Sequence, residues 1–394
     1  MRAARGAWIA AGFAVSLAVG AGPASAQLPD SLPARPFVPG GYDDKPYLQG
    51  LFGRIALGGY VEAVGEWERE DGATAGLGVE VRRWNLLAAT DIRRRVQVWS
   101  ELEIEEGGEE VRLELAQVDV RLTRGFNLRA GVLLLPLGRF NLAHDAPRHP
   151  LPDRPLAAEH LLGVALSMPG VGGFGELGAR TGARLTWEAY GVTGYHDGLL
   201  LDSPDGTRLS AGRVNHEDAN ASPAWVARLE WSPLGDAALG VSGYQGAYNV
   251  YRLEGLEVDQ RRDVRVGVLD ARATLLGVTL SGEGAWVGID LPPSLEGLFA
   301  SRQAGGWLEA SRVLARDLVP GWPRSTLATV VRLEAVDFDR GHVGDSVRAI
   351  ALGLTARPVP ETAVKFAWVR GESRDRFDNP AAFARVQLGV ATYF

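Results

Sequence analysis

From residue 54 to its last residue the chain alternates. Apolar side chains take every second position along segments of about ten to fifteen residues, and small or charged side chains take the positions between. A strand projects successive side chains to opposite faces, so a period of two describes sheets with one apolar and one polar face. The final stretch is the clearest: Val386, Leu388, Val390, Thr392 and Phe394 share one face, and Arg385, Gln387, Gly389, Ala391 and Tyr393 share the other. Near residue 54 the pattern is the same, with Ile55, Leu57, Gly59, Val61, Ala63 and Trp67 opposite Arg54, Ala56, Tyr60, Glu62, Glu66 and Glu68. A wall between lipid and water requires charges along one face and apolar groups along the other. A half-buried soluble sheet has the same period, so any one stretch leaves a sandwich edge strand open.

The number and spacing of the segments decide between these. Sixteen are predicted, over 54–68, 78–90, 94–106, 110–122, 125–135, 170–179, 182–196, 222–232, 237–251, 262–274, 277–289, 301–315, 325–338, 345–357, 361–372 and 384–394. The phase slips near Ala116, as at a β-bulge, and again near Leu269. The connections alternate long and short along the chain, 107–109 and 316–324 excepted. An up-and-down barrel with both termini on one side of a membrane produces that alternation, and a sandwich gives no reason for it. The expected fold is therefore all-β, a transmembrane antiparallel β-barrel of about 16 strands with a long third extracellular loop. Trp67, Trp84, Trp99, Trp187, Trp225, Trp231, Trp307, Trp322 and Trp368 fall mostly near segment ends, where interfacial girdles or ordinary strand aromatics would place them.

The beginning of the chain agrees. Residues 1–26 read as a cleaved signal peptide: Arg2 and Arg5, an apolar run over 7–19, and Ala24-Ser25-Ala26 before Gln27. Removing its two arginines from 41 basic and 48 acidic residues leaves 39 − 48 = −9. Residues 27–53 read as a periplasmic lead-in and 54–394 as the barrel. The chain has no cysteine, which suits export without disulfides and excludes thiolate metal sites and cysteine nucleophiles. No later stretch is long and apolar enough for a membrane helix.

The third long connection, 136–169, is Pro-rich, and a loop of that length in a compact protein is usually functional. Around it, Leu128-Arg129-Ala130-Gly131-Val132-Leu133-Leu134-Leu135-Pro136-Leu137-Gly138-Arg139-Phe140-Asn141 resembles the strand-to-loop junction of the phosphate-selective porin O/P family. His144-Asp145, Pro152-Asp153-Arg154-Pro155-Leu156 and the glycine-rich run Gly170–Leu177 continue the resemblance, as do Gly58–Glu62 and the terminal Phe394. The resemblance implies a sixteen-stranded outer-membrane channel and a homotrimer, with the third loop folded into the lumen to narrow it. Phosphate-selective members line their path with arginine ladders and a lysine cluster, whereas this chain has only Lys45 and Lys365, so an anion path here would rest on arginine.

On this phasing the pore-lining or constriction candidates are Arg129, Arg184, Arg228, Arg332, Glu62, Glu101 and Glu334 on strands, with Arg139, Arg148, Asp153 and Arg154 in the loop. Opposed acidic and basic walls would set a transverse field favouring small polar solutes. Solvated rim charges or mutual pairing would account for the same residues. His144, Asp145, His149 and Asp153 do not follow a metal-ligand spacing, and loop-to-wall hydrogen bonding explains them better. No catalytic residue, metal or cofactor is expected. The function read from the sequence is a passive outer-membrane porin for small hydrophilic solutes, with anions such as phosphate among them. Outer-membrane lipid would surround it, and no nucleic acid would be a partner. The alternatives are a barrel enzyme, for which none of the six histidines has a convincing nucleophile beside it, or a structural or adhesive barrel with a closed lumen, for which large apolar inward residues are expected.

Overall fold

The computed structural model describes residues 48–49, 55–178, 182–203, 205–233 and 236–394. The signal-peptide reading of 1–26 and most of the 27–53 lead-in lie outside the described residues. The strands are β1 (Ile55–Glu70), β2 (Ala73–Ile92), β3 (Val96–Glu105), β4 (Glu110–Arg121), β5 (Asn127–Leu134), β6 (Ser167–Gly178), β7 (Arg184–Val192) and β8 (Ala224–Ser232). They continue with β9 (Ala238–Ala247), β10 (Asp263–Leu275), β11 (Val278–Ile289), β12 (Arg302–Arg316), β13 (Thr326–Asp337), β14 (Ser346–Arg357), β15 (Thr362–Arg374) and β16 (Pro380–Tyr393). Each pairs antiparallel with the next, and β16 pairs with β1 from Phe383↔Glu70 to Tyr393↔Tyr60. The sheet is thereby a closed sixteen-stranded barrel, in which every strand finds backbone partners on both sides. The two-residue strand Leu48–Gln49 adds to the start of β1.

The barrel is inside-out relative to a soluble protein. On β16, Leu388 is 62% exposed on the outer face while Gln387 is fully buried. Across β8, Trp225, Leu229 and Trp231 face outward and Val226, Arg228 and Glu230 face inward. The predicted alternation of the last strand therefore holds residue by residue. The Trp residues divide: Trp67, Trp84, Trp225, Trp231 and Trp322 are exposed, whereas Trp99 is buried and Trp307 packs against the loop residue Phe140 inside the barrel.

Three local features depart from strict alternation or from the sequence reading. The expected break at 69–77 is instead a tight Asp71-Gly72 turn between extended β1 and β2 strands. At two of the bulges, two neighbouring residues both enter the lumen. At Glu62/Ala63 the partner strand steps from Arg83 to Val81, so Arg82 joins Arg83 inside. At Glu101/Leu102 the partner steps from Leu115 to Leu113, leaving Glu114 as the extra residue and turning it inward. This second bulge is the slip expected near Ala116. The slip expected near Leu269 is absent: β10 keeps register with both neighbours, and Leu269 stays outward. What changes there is the inward face, from Val264, Val266 and Val268 to Asp270, because the valines pack against loops that fill that part of the lumen.

Candidate functional site

The third connection, 135–166, leaves β5 at the loop end and folds into the barrel. Its turns are a short helix (Gly138–Leu142), a 3-10 turn (Ala146–Arg148) and a π-helical turn (Ala157–Leu162). Backbone groups inside a barrel need partners, and the wall supplies them. The Gly138 amide donates to Ser242 Oγ at 3.0 Å, the Phe140 amide to Glu283 at 3.2 Å, and the Leu156 amide to Glu334 at 2.9 Å. Going the other way, Lys365 Nζ donates to the Ala146 and Leu151 carbonyls at 2.8 and 3.2 Å, Thr355 to the Pro150 carbonyl at 2.5 Å, and Arg332 to the Asp153 carbonyl at 2.9 Å. Tyr393 Oη donates to Asp145 at 2.8 Å. The loop thus crosses the lumen and is fastened to strands from β9 round to β16. Two glycines permit the approach: Gly138 has φ +77° and a Cβ there would sit 2.4 Å from Glu283, while a Cβ on Gly353 would meet Leu151 at 2.5 Å.

The loop divides the interior. Toward the loop end, β1–β4 and β16 form a charged mouth with partly exposed Glu66, Arg82, Glu105, Arg112 and Arg385. Asp153 reaches it from the loop, with Arg82 at 2.8 Å, Arg385 at 3.1 Å and Gln387 at 2.8 Å. Burial works against the Asp153 carboxylate, but Arg82 and Arg385 hold it below the ordinary carboxylate range. Toward the turn end, a cavity of about 480 Å³ is bounded by Arg139, Arg148, Arg272, Arg357, Glu309 and Trp307. His149 borders it, stacked on Phe140 with ring centroids 4.4 Å apart and bonded to the Ala143 carbonyl at 2.7 Å. Burial, then the nearby Lys365 charge, push His149 well below the ordinary imidazole value.

On the side of β7–β11 the loop half of the lumen is apolar. Leu199 and Leu209 of the 193–223 connection pack with Leu161 and Leu166 of the third loop against Tyr190, Tyr244, Val266 and Val287 of the wall. This corrects the sequence-based picture of inward positions as small or charged. Inward residues covered by a loop are core residues, and the period-two pattern does not say what covers a face. Arg208 anchors this second loop through Asp345 at 2.7 Å and lies over the Phe338 ring at 3.9 Å.

Each sequence-predicted residue has a definite place. Arg129 is buried on the wall between Asp119 (2.8 Å) and Glu188 (3.3 Å), over the Phe174 ring. Arg228 meets Asp270 at 2.5 Å and Glu230 at 2.7 Å; Arg332 meets Glu334 at 3.3 Å and Glu309 at 3.7 Å. Glu62 holds Arg83 at 3.2 Å and Lys365 at 3.4 Å, and Glu101 accepts from Asn85 at 3.0 Å. Arg139 pairs with Glu230 at 3.0 Å, and Arg154 lies 3.7 Å from Glu103. Arg184 stands at the turn end of β7, and Arg148 faces the turn-side cavity. The loop brings Arg139 and Arg148 to one compartment and Asp153 and Arg154 to the other. Arg82, Arg83, Glu114, Glu283, Arg272 and Arg357 were not among the predicted residues. The adjacent arginines 82 and 83 carried a signal, since two charges in succession on a membrane strand require a bulge.

A closed sixteen-stranded barrel with an inward-folded third loop is the architecture of outer-membrane porins. No family model matches the chain. Among solved structures it is similar to OprB of Pseudomonas putida (TM-score 0.55, 10% identity, 86% of this chain and 94% of that one). It is similar also to the outer membrane channel DcaP of Acinetobacter baumannii (TM-score 0.54, 12% identity, 86% and 97%) and to an anion-selective porin from Comamonas acidovorans (TM-score 0.51, 13% identity, 86% and 99%). At these identities the likeness is one of fold. In sequence, an uncharacterised protein of Aquifex aeolicus (strain VF5) is 29% identical over 327 residues, covering 76% of this chain and 72% of the relative.

Proposed function

We propose that this protein is a bacterial outer-membrane porin, a passive diffusion channel for small hydrophilic solutes with a modest preference for anions. The observation that carries the proposal is the charged interior under an apolar outer wall, with the third loop dividing it into a loop-side mouth and a turn-side cavity of about 480 Å³. Solutes would pass beside the loop near Asp153 and Arg154 and enter the cavity faced by Arg139, Arg148, Arg272 and Arg357 opposite Glu309. Arg139 is paired with Glu230, yet guanidinium groups still outnumber carboxylates around this cavity, and that excess favours anions there. The preference is modest because Arg129, Arg228 and Arg332 are each bracketed by two carboxylates, which leaves little field for a phosphate ladder. Kinship with the phosphate-selective O/P porins, the signal peptide and the homotrimer belong to the same proposal. The trimer is tested by unheated gel electrophoresis and light scattering of the detergent-extracted protein.

Liposome swelling tests the channel. Vesicles containing the folded barrel are expected to swell in small neutral sugars, at rates falling steeply with solute size. A second reading is a barrel sealed by its own loops, favoured by the apolar packing of Leu199, Leu209, Tyr244 and Val266 in the lumen. Vesicles that hold folded protein and do not swell would select that reading.

A further inference from the structure

At the junction of the third loop with β2, β3 and β4, three wholly buried groups converge: Glu101, the bulged Glu114, and His144 of the loop. One ligand atom from each lies within 4.8 Å of the others. Asn85 Nδ2 donates to Glu101 and to Glu114, both at 3.0 Å, and so holds the two carboxylates side by side. Like charges brought together in a dry site are held either by a shared proton or by a cation of a particular kind.

The histidine identifies what kind. His144 Nδ1 lies 2.8 Å from the Asn141 carbonyl. A carbonyl only accepts, so Nδ1 carries the proton. In the neutral ring the lone pair of Nε2 then points toward Glu114, whose Oε1 is 3.3 Å away. Two acceptors face each other across that gap, and a cation between them turns the repulsion into ligation. An Nδ1–H held by a backbone carbonyl, with Nε2 presented inward, is the arrangement metal-binding imidazoles use. A further observation points into the same place. Tyr60, the register partner of Asn85, is fully buried, and its hydroxyl has no hydrogen-bond partner; nor has Asn85 Oδ1. Both stand ready as outer ligands or as partners for a bound water.

We propose that Glu101, Glu114 and His144 bind a divalent transition-metal ion, which staples the third loop to the barrel wall. One imidazole with two carboxylates suits zinc, manganese or iron(II); calcium would take six to eight oxygens and magnesium an octahedron of them. The bulge at Glu114 has a purpose in this reading, since without it that carboxylate would fall out of phase with Glu101.

The test uses the full barrel, without a histidine tag, purified in detergent after chelation and shown to be folded by heat-modifiable gel mobility. Zn²⁺ is titrated calorimetrically and Co²⁺ by visible absorption. The expected result is one ion per chain, d–d bands of a low-coordinate Co²⁺ site, and slowed hydrogen exchange over 141–149 on metal addition. Glu114→Gln and His144→Gln should weaken binding by at least about a hundredfold. Tyr60→Phe removes a hydroxyl that bonds nothing, so it should fold whatever becomes of the other variants, and should weaken binding about tenfold. Folded wild-type protein that takes up no stoichiometric Zn²⁺ overturns the proposal; His144 is then an imidazolium paired with Glu114. Binding that is equal in wild type, Glu114→Gln and His144→Gln overturns it as well, because the ion then sits elsewhere.

Discussion

Lys365→Met should loosen the third loop without opening the barrel. Lys365 is 1% exposed, and its ammonium serves two loop carbonyls and one wall carboxylate. A buried charge–charge contact near 3.4 Å is worth about 5 kcal/mol at an effective dielectric of about 20, before the cost of removing both groups from water. Breaking such a pair from one side costs about 3–5 kcal/mol, because the partner stays buried. Glu62 keeps Arg83 at 3.2 Å, which puts the loss at the low end, about 3 kcal/mol. The carbonyls of Ala146 and Leu151 lose their donor at the same time. Because Met fills the space of the lysine stem, the lost packing is small. A loss of about 3 kcal/mol raises the open population of the loop about a hundredfold. Hydrogen exchange resolves this directly. The Arg148 and His149 amides, bonded to Asp145 and Ala146 in the 3-10 turn, should exchange about a hundredfold faster, with the β14–β16 ladder unchanged. Unchanged exchange at 143–151 in a folded variant would refute the role given to Lys365.

Other perturbations reach the same interior from different sides. Asp153→Asn frees Arg82 and Arg385 from their shared carboxylate, so the zero-current potential in a salt gradient should move toward greater anion preference. Arg228→Met takes the guanidinium from buried Asp270, while Glu230 keeps Arg139 at 3.0 Å; about 3 kcal/mol of barrel stability should be lost, read as a lower urea midpoint on tryptophan fluorescence. His149 stays neutral when docked, whereas a released loop would take up a proton below about pH 6.5, so loop exchange should accelerate as pH falls below that value. Asp153 adds a second window: its stabilisation is complete above about pH 3.9 and is lost as pH falls through its depressed value. Leu388→Arg places a charge on the outer wall and should cost up to about 2–4 kcal/mol of stability in lipid vesicles, measured by the same urea titration.

The strands were legible in the sequence because each is a local object. Val386 to Phe394 state their own period, and the lengths of the connections state which end is which. All sixteen predicted segments overlap a strand, including the glycine-rich β6, where alternation barely registers. The interior was legible only in part. That Arg129, Arg228 and Arg332 face inward follows from phase; that each is bracketed by carboxylates depends on which strands lie alongside. The bulges at Arg82 and Glu114 show in the sequence as a doubled charge and a phase slip, but their consequence, two inward groups where alternation allows one, needs the register. The apolar lumen of β7–β11 was hidden for a different reason. Val264, Val266 and Val268 followed by Leu269 read as a phase slip, when the valines are the floor on which two loops pack. The docking of the third loop was likewise beyond pattern, since Lys365 and Ala146 are 219 residues apart.

Single-channel recording from the refolded barrel in a planar bilayer, with the zero-current potential measured in a salt gradient, bears most directly on the claim that this is a channel. Stepwise conductance with a modest anion preference is the predicted result. Silent bilayers that contain protein shown to be folded and heat-modifiable would contradict it, and would make the loops a seal rather than a constriction.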